Sequence, residues 1–198
     1  MPTEPVQVTD VILLAAGASS RLGRPKQLLP FRGTTLLRHL AEQAIASNAN
    51  HVRVVIGAHH ELIRDQVADL IVTVIEHQHW SGGLSTSIQA GLASLPNDVD
   101  SVILMLGDQP RVTSDHLNAL IERQHDTKKG LVASRYQQMP GAPALFSKRY
   151  FGDLANLRGD AGAKTVLLLR VDDVAYVDLP GGEFDIDTEE DWKRMNER

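Results

Sequence analysis

At 198 residues, 42% hydrophobic and 23% charged, the chain can bury a substantial core and has an ordinary globular composition. A net charge of −5 excludes a general nucleic-acid binder with a basic face, though not a local positive pocket. Without cysteine there is no disulfide, thiolate metal site or cysteine nucleophile, and no apolar run approaches the ~20 residues of a membrane span. The opening MPTEPVQVTD has neither the basic region nor the apolar stretch of a secretory signal, so a cytoplasmic location is expected.

The apolar run Val11 to Ala16 predicts a strand buried on both faces. At Gly17 it breaks into the small, polar loop Gly17-Ala18-Ser19-Ser20-Arg21-Leu22-Gly23, followed by Arg24, Pro25 and Lys26. Such a loop leaves backbone N–H groups facing outward beside three cations, which suits the phosphates of a nucleotide. An ordinary strand-to-helix turn with scattered surface cations would carry the same residues. The spacing matches neither G-x-x-x-x-G-K-[ST] nor G-x-G-x-x-G. Thr34 is placed to cap a helix through about Ser47, with Leu36, Leu37, Leu40, Ala41, Ala44 and Ile45 on one face. Val52 to Ile56 predicts a second buried strand, Glu61 to Leu70 a short helix and Ile71 to Ile75 a third strand. This alternation predicts right-handed crossovers and an α/β, three-layer, Rossmann-like fold with a mostly parallel sheet. Ligands of such sheets sit beyond the carboxyl ends of the strands, where the opening loop would lie.

In His77 to Gly91, Trp80, Gly82 and Gly83 form a loop, and Leu84, Ile88 and Leu92 begin a helical stripe. The hydroxyls of Ser85, Thr86 and Ser87 can cap that helix or read the edge of a base. His59, His60, His77 and His79 are either surface histidines or metal ligands, without a Cys or acidic partner at zinc-site spacing. Ser101 to Leu106 predicts a fourth buried strand closed by Gly107-Asp108-Gln109-Pro110. Asp108 then faces the same crevice as the opening loop. It is either a turn residue or a ligand for magnesium, a hard ion that takes a carboxylate or two plus phosphate oxygens. A helix from Ser114 to His125 and a strand from Gly130 to Ser134 follow. Pro140 to Phe146 forms a glycine- and proline-shaped approach to a short strand. Gly159 breaks one helix and Asp160 is placed to cap the next, with Lys164 in its first turns. Asp187 or Thr188 caps a terminal helix opening on Glu189, Glu190 and Asp191, and alternation puts Asp185 and Asp187 on one side of an extended segment.

Residues Leu14, Ala15, Ala16, Gly17, Ser19, Arg21, Gly23, Pro25 and Lys26 resemble the L-A-A-G-x-S-x-R-x-G-x-P-K loop of nucleotidyltransferases related to molybdenum cofactor cytidylyltransferase. Later motifs resemble that family in the same order: Trp80, Gly83, Ser87 and Gly91, then Gly107 to Pro110, then Leu157 to Lys164, then Asp185 to Asp191. The chain departs from the pattern at His77, where the family usually has Asn, at Ala142, where many relatives have His, and at Glu189, which replaces Pro.

The resemblance implies one nucleotidyltransferase domain over residues 1–198, of the nucleotide-diphospho-sugar transferase type. It implies transfer of CMP from CTP to a phosphorylated acceptor of the molybdopterin type, with release of pyrophosphate. CTP-using relatives carry L-A-A-G and the guanylyltransferase branch L-A-G-G, so Ala16 points to CTP. Lys26, Arg21 and Asp108 take the catalytic roles. Leu14, Ala15, Ala16, Gly17, Ser19, Arg21, Gly23, Lys26, Gly83, Ser85, Ser87 and Asp108 bind the nucleotide. Gly141, Ala142, Pro143, Asp160 and Lys164 bind the acceptor. Asp108 and Asp187 hold magnesium, or manganese in its place. Contact with a molybdoenzyme client is expected; nucleic acid and membrane are not partners. The alternatives are transfer to a sugar 1-phosphate or another small phosphate, and a non-catalytic molybdenum cofactor chaperone.

Overall fold

The computed structural model describes residues 7–186 and 188–196. In chain order its elements are β1 (Thr9–Ala15), the hairpin β2 (Pro30–Phe31) and β3 (Thr34–Thr35), α1 (Leu36–Ile45), β4 (His51–Ile56), α2 (His60–Asp65) and β5 (Thr73–Glu76). Then come α3 (Leu84–Ala93), β6 (Ser101–Leu106), α4 (Ser114–Thr127), β7 (Leu131–Tyr136), β8 (Met139–Ser147), α5 (Phe151–Ala155), α6 (Lys164–Leu169), β9 (Val174–Asp178) and α7 (Glu189–Asn196). Seven strands form one sheet in the order β5-β4-β1-β6-β8-β7-β9. Only β8 runs against its neighbours; the other pairs are parallel.

From Val11 to Ala15 β1 is apolar because both faces of the sheet are covered there. Val11, Leu13 and Ala15 point to one side, where they pack with Leu36, Leu37 and Leu40 of α1 and Leu117 and Leu120 of α4. Ile12 and Leu14 point to the other, against Ile88 of α3, Leu154 of α5 and Val166 of α6. The result is a three-layer α/β/α sandwich with β1 and β6 at its centre, and the loops after these two strands open at the same end of the sheet.

Several boundaries differ from the sequence reading for identifiable reasons. Thr34 is taken by its pairing with Phe31, so Thr35 caps α1 by accepting from the Arg38 N–H. The α2 helix stops at Asp65, and Ile71 is 90% exposed, because β5 is an edge strand that joins β4 only from Thr73. Pro140 to Pro143 lies within β8 rather than before it, and a register shift between Ala133 and Ser134 of β7 accommodates it. Asp160 does not cap α6; that position falls to Ala163. Strand β9 forms from VAYV, a short apolar run too brief to signal a strand by itself, whose pairing with β7 is decided by tertiary contacts.

Candidate active site

The loops after β1 and β6 and the entrance of α3 enclose a crevice of about 390 Å³. Of the residues singled out in the sequence, Leu14, Ala15, Ala16, Gly17, Lys26, Gly83, Ser87, Asp108 and Asp160 line it. Ala18, Gln27, Trp80, Ser81, Leu84, Leu106 and Gly107 join them.

The loop after β1 is held by its own polar side chains. Gln27, 1% exposed, donates its amide to the carbonyls of Ala15 (2.9 Å) and Gly17 (3.0 Å). Those carbonyls end the strand, so Gln27 fixes where β1 turns into the loop. Ser19, in the left-handed region at φ 54°, accepts the N–H of Lys26 on its hydroxyl (3.0 Å), and its carbonyl accepts from Leu22 and Gly23. Leu22 is buried and pins the loop to the core. Ser19, Arg21 and Gly23 are therefore outside the crevice lining; Ser19 shapes the loop from within. Gln27 escaped the sequence reading because a polar residue between Lys26 and Leu28 gives no sign of burial.

Asp108 stands at the carboxyl end of β6, set there by Gly107, whose N–H donates to the Leu14 carbonyl at 3.0 Å. Its Oδ2 accepts from Lys26 Nζ at 2.5 Å, with the two side chains only 16% and 18% exposed. Its Oδ1 is buried and has no hydrogen-bond partner among the described residues. A buried carboxylate oxygen left unpaired is costly, and a hard cation is the ligand that satisfies it without a proton. The donor set therefore fits a divalent ion completed by substrate phosphate oxygens. No group of three His, Cys, Asp or Glu side chains gathers as a metal cage among the described residues. Asp187, the expected second ligand, lies outside the described residues. Its neighbour Ile186 is fully buried and donates its N–H to the Asp108 carbonyl at 3.1 Å.

At the opposite wall, Gly83 begins α3 at φ +97°, and a Cβ there would lie 2.5 Å from the Gly159 carbonyl. This close approach brings Asp160 to the crevice, and the Ser85 N–H donates to the Gly159 carbonyl. Ser85 itself is buried away from the crevice, whereas Ser87 lines it. His77 bonds Thr86 Oγ1 through Nε2 at 2.9 Å, and that hydroxyl donates to the Gly83 carbonyl at 2.7 Å. The hydroxyl proton being committed, His77 must present its Nε2–H. Burial and the neighbouring His79 hold its pKa below the usual histidine value, in keeping with a neutral ring. The substituted histidine thus braces the loop ahead of α3.

Of the expected acceptor residues, Gly141, Ala142, Pro143 and Lys164 do not line the crevice. Gly141 makes room for the Tyr136 hydroxyl, and the Pro143 carbonyl accepts from Ser134. Lys164 is the exposed first residue of α6.

A family profile described as the MobA-like NTP transferase domain matches residues 11–174. The chain is 30% identical to the nicotine blue oxidoreductase of Paenarthrobacter nicotinovorans, covering 93% of this chain and 94% of that protein. It is 27% identical to the molybdenum cofactor cytidylyltransferase of Escherichia coli, covering 96% of both. Among solved structures, Rv0371c from Mycobacterium tuberculosis superposes with a TM-score of 0.85 at 30% identity, covering 97% of this chain and 99% of that one. The same protein has also been solved in complex with manganese, with a TM-score of 0.81.

Proposed function

The chain belongs to the MobA-like NTP transferase family, and on that premise we propose that it moves CMP from CTP to the phosphate of a molybdopterin-type acceptor. The observation that carries this reading is the Lys26–Asp108 pair at the mouth of an L-A-A-G loop, both lining one crevice. The 27% identity to a molybdenum cofactor cytidylyltransferase over nearly the whole of both chains supports the choice of nucleotide and acceptor.

An acceptor phosphate carries about 1.5–2 negative charges at neutral pH and needs no strong general base. Its oxygen attacks the α-phosphorus as the bond to the β-phosphate breaks, and pyrophosphate leaves. The protein's task is to align the two phosphates and offset charge. Loop N–H groups from Gly17 onward receive the triphosphate, and the Lys26 ammonium follows the charge that gathers on the leaving pyrophosphate. Leu84 and Ser87 face the base. Asp108, with Asp187, would hold magnesium, or manganese as in the related complex, and the ion supplies neutralising charge to the phosphate oxygens. Asp160, which lines the crevice, is assigned to the acceptor side. The 30% identity to a protein named as an oxidoreductase supports a second reading, redox chemistry in the same crevice.

The test mixes purified protein, magnesium and each of the four triphosphates with a pterin bearing a side-chain phosphate. Pyrophosphate released from CTP, with a product heavier than the acceptor by one CMP unit, is the expected result. Release from GTP and not from CTP would overturn the base assignment. Oxidation of an added electron donor without pyrophosphate release would favour the second reading.

A further inference from the structure

A second cavity, about 780 Å³ and twice the volume of the nucleotide crevice, lies beside Asp108. Two chain segments tie it there. Pro110 and Arg111 continue the turn that begins at Asp108, and Asp185 precedes Ile186, whose N–H is bonded to the Asp108 carbonyl.

The cavity wall carries an unusual arginine arrangement. The Arg111 guanidinium lies over the Phe184 ring, 5.8 Å from its centroid, and that of Arg32 over Phe31 at 5.2 Å. Neither arginine pairs with a carboxylate among the described residues. Gly181, at φ +77°, lies directly against Arg111, and any side chain there would overlap the guanidinium. Arg111 thus packs between an aromatic ring and bare backbone, which narrows the directions open to its fork of N–H donors. Glu183 and Asp185 line the same cavity and offer acceptor oxygens.

From this geometry we propose that the second cavity seats the non-reacting end of the acceptor, with Arg111 as its specificity-determining residue. The class of ligand that matches is a planar heterocycle with donor and acceptor edges, as a pterin has. Its carbonyl and ring nitrogens face the guanidinium fork, its amino and N–H groups face the carboxylates, and its phosphate reaches toward Asp108. Arg32 lines the same cavity. The assignment rests on the nucleotidyl-transfer reading above. It departs from the sequence-based expectation for Gly141 to Pro143, which lie within β8 and outside both cavity linings.

The test uses neopterin phosphate as the probe, its fluorescence quenching giving a Kd, alongside steady-state kinetics with CTP. Arg111→Ala is expected to weaken probe binding tenfold or more and to raise the acceptor KM alike, with the CTP KM unchanged. Arg111→Lys, which keeps the charge and loses the fork, should recover only a small part. Gly181→Ala, which displaces Arg111 without removing it, should reproduce most of the loss. Circular dichroism and CTP affinity matching the parent exclude misfolding. Probe affinity and acceptor KM within twofold of the parent in Arg111→Ala would overturn the proposal, as would a parent enzyme that binds CTP and not the probe. Failure of the nucleotidyl-transfer reading is seen separately, as absence of pyrophosphate release from CTP in the parent.

Discussion

Two carboxylate–cation pairs stand at opposite ends of the central strands. At the carboxyl end Asp108 holds Lys26 at 2.5 Å; at the amino end Asp10 of β1 holds Arg53 of β4 at 3.1 Å. Each aspartate keeps one buried oxygen without a hydrogen-bond partner among the described residues. The surroundings differ. Asp10 and Arg53 are 0% and 9% exposed, whereas Asp108 and Lys26 keep 16% and 18% of their surface and line an open crevice. The same pair of charges is structural where strands enclose it and available for chemistry where a crevice reaches it.

Breaking the two pairs should therefore give opposite phenotypes. Asp108→Ala carries the largest expected effect, a loss of three orders of magnitude or more in kcat, equivalent to roughly 4 kcal/mol of barrier. Its stability should fall less than that of the Arg53 variant below, because Lys26, released from its partner, lines an open crevice where its ammonium can hydrate. Pyrophosphate release and urea unfolding, measured on the same sample, check both halves; undiminished turnover would remove Asp108 from the chemistry. Arg53→Met should do the reverse. It leaves the Asp10 carboxylate buried with its charge uncompensated, at a cost of about 3 kcal/mol or more, while kcat well below the melting temperature stays near the parental value. A catalytic loss without a stability loss in this variant would contradict the structural role.

The carboxyl end of the sheet was far more legible in the sequence than the details around it. Val11 to Ala16 and Val102 to Leu106 are apolar without interruption, and each run ends at a glycine, so both strands and their turns can be placed. Asp108 follows from that placement. The Thr188 cap was also readable: its hydroxyl accepts the Asp191 N–H and bonds the Asp191 carboxylate, a local exchange written within four residues. What stayed hidden depends on distant neighbours. Gln27 is buried only because the loop folds over it, and Arg111 gains its setting only when Gly181, seventy residues later, lies against it. The position of Asp160 after Gly159 suggests a cap, but the contact between Gly83 and Gly159 assigns it to the crevice wall instead.

His116 sharpens the comparison from a third side, as a buried ionisable group with no counter-charge bonded to it. It is 8% exposed, and its Nε2 lies 2.7 Å from Ser134 Oγ, whose proton is donated to the Pro143 carbonyl. The ring therefore donates through Nε2, as the neutral tautomer protonated there can. Burial pushes its pKa down to about 4, against about 6.5 in the unfolded chain. Between those values the unfolded state binds more protons, so stability is at its full level above pH 6.5 and falls as the pH drops toward 4. The expected loss is roughly 2–3 kcal/mol, the smallest of the three effects. Carboxylates add their own acid loss, so the measurement is a difference: urea midpoints at pH 7 and pH 4.5 for the parent and for His116→Gln. Glutamine can still donate to Ser134 and cannot titrate, so its acid loss should be smaller by that amount. Equal losses in the two proteins would mean that His116 takes up its proton inside the fold as readily as outside it, and that burial alone does not keep a charge out of this core.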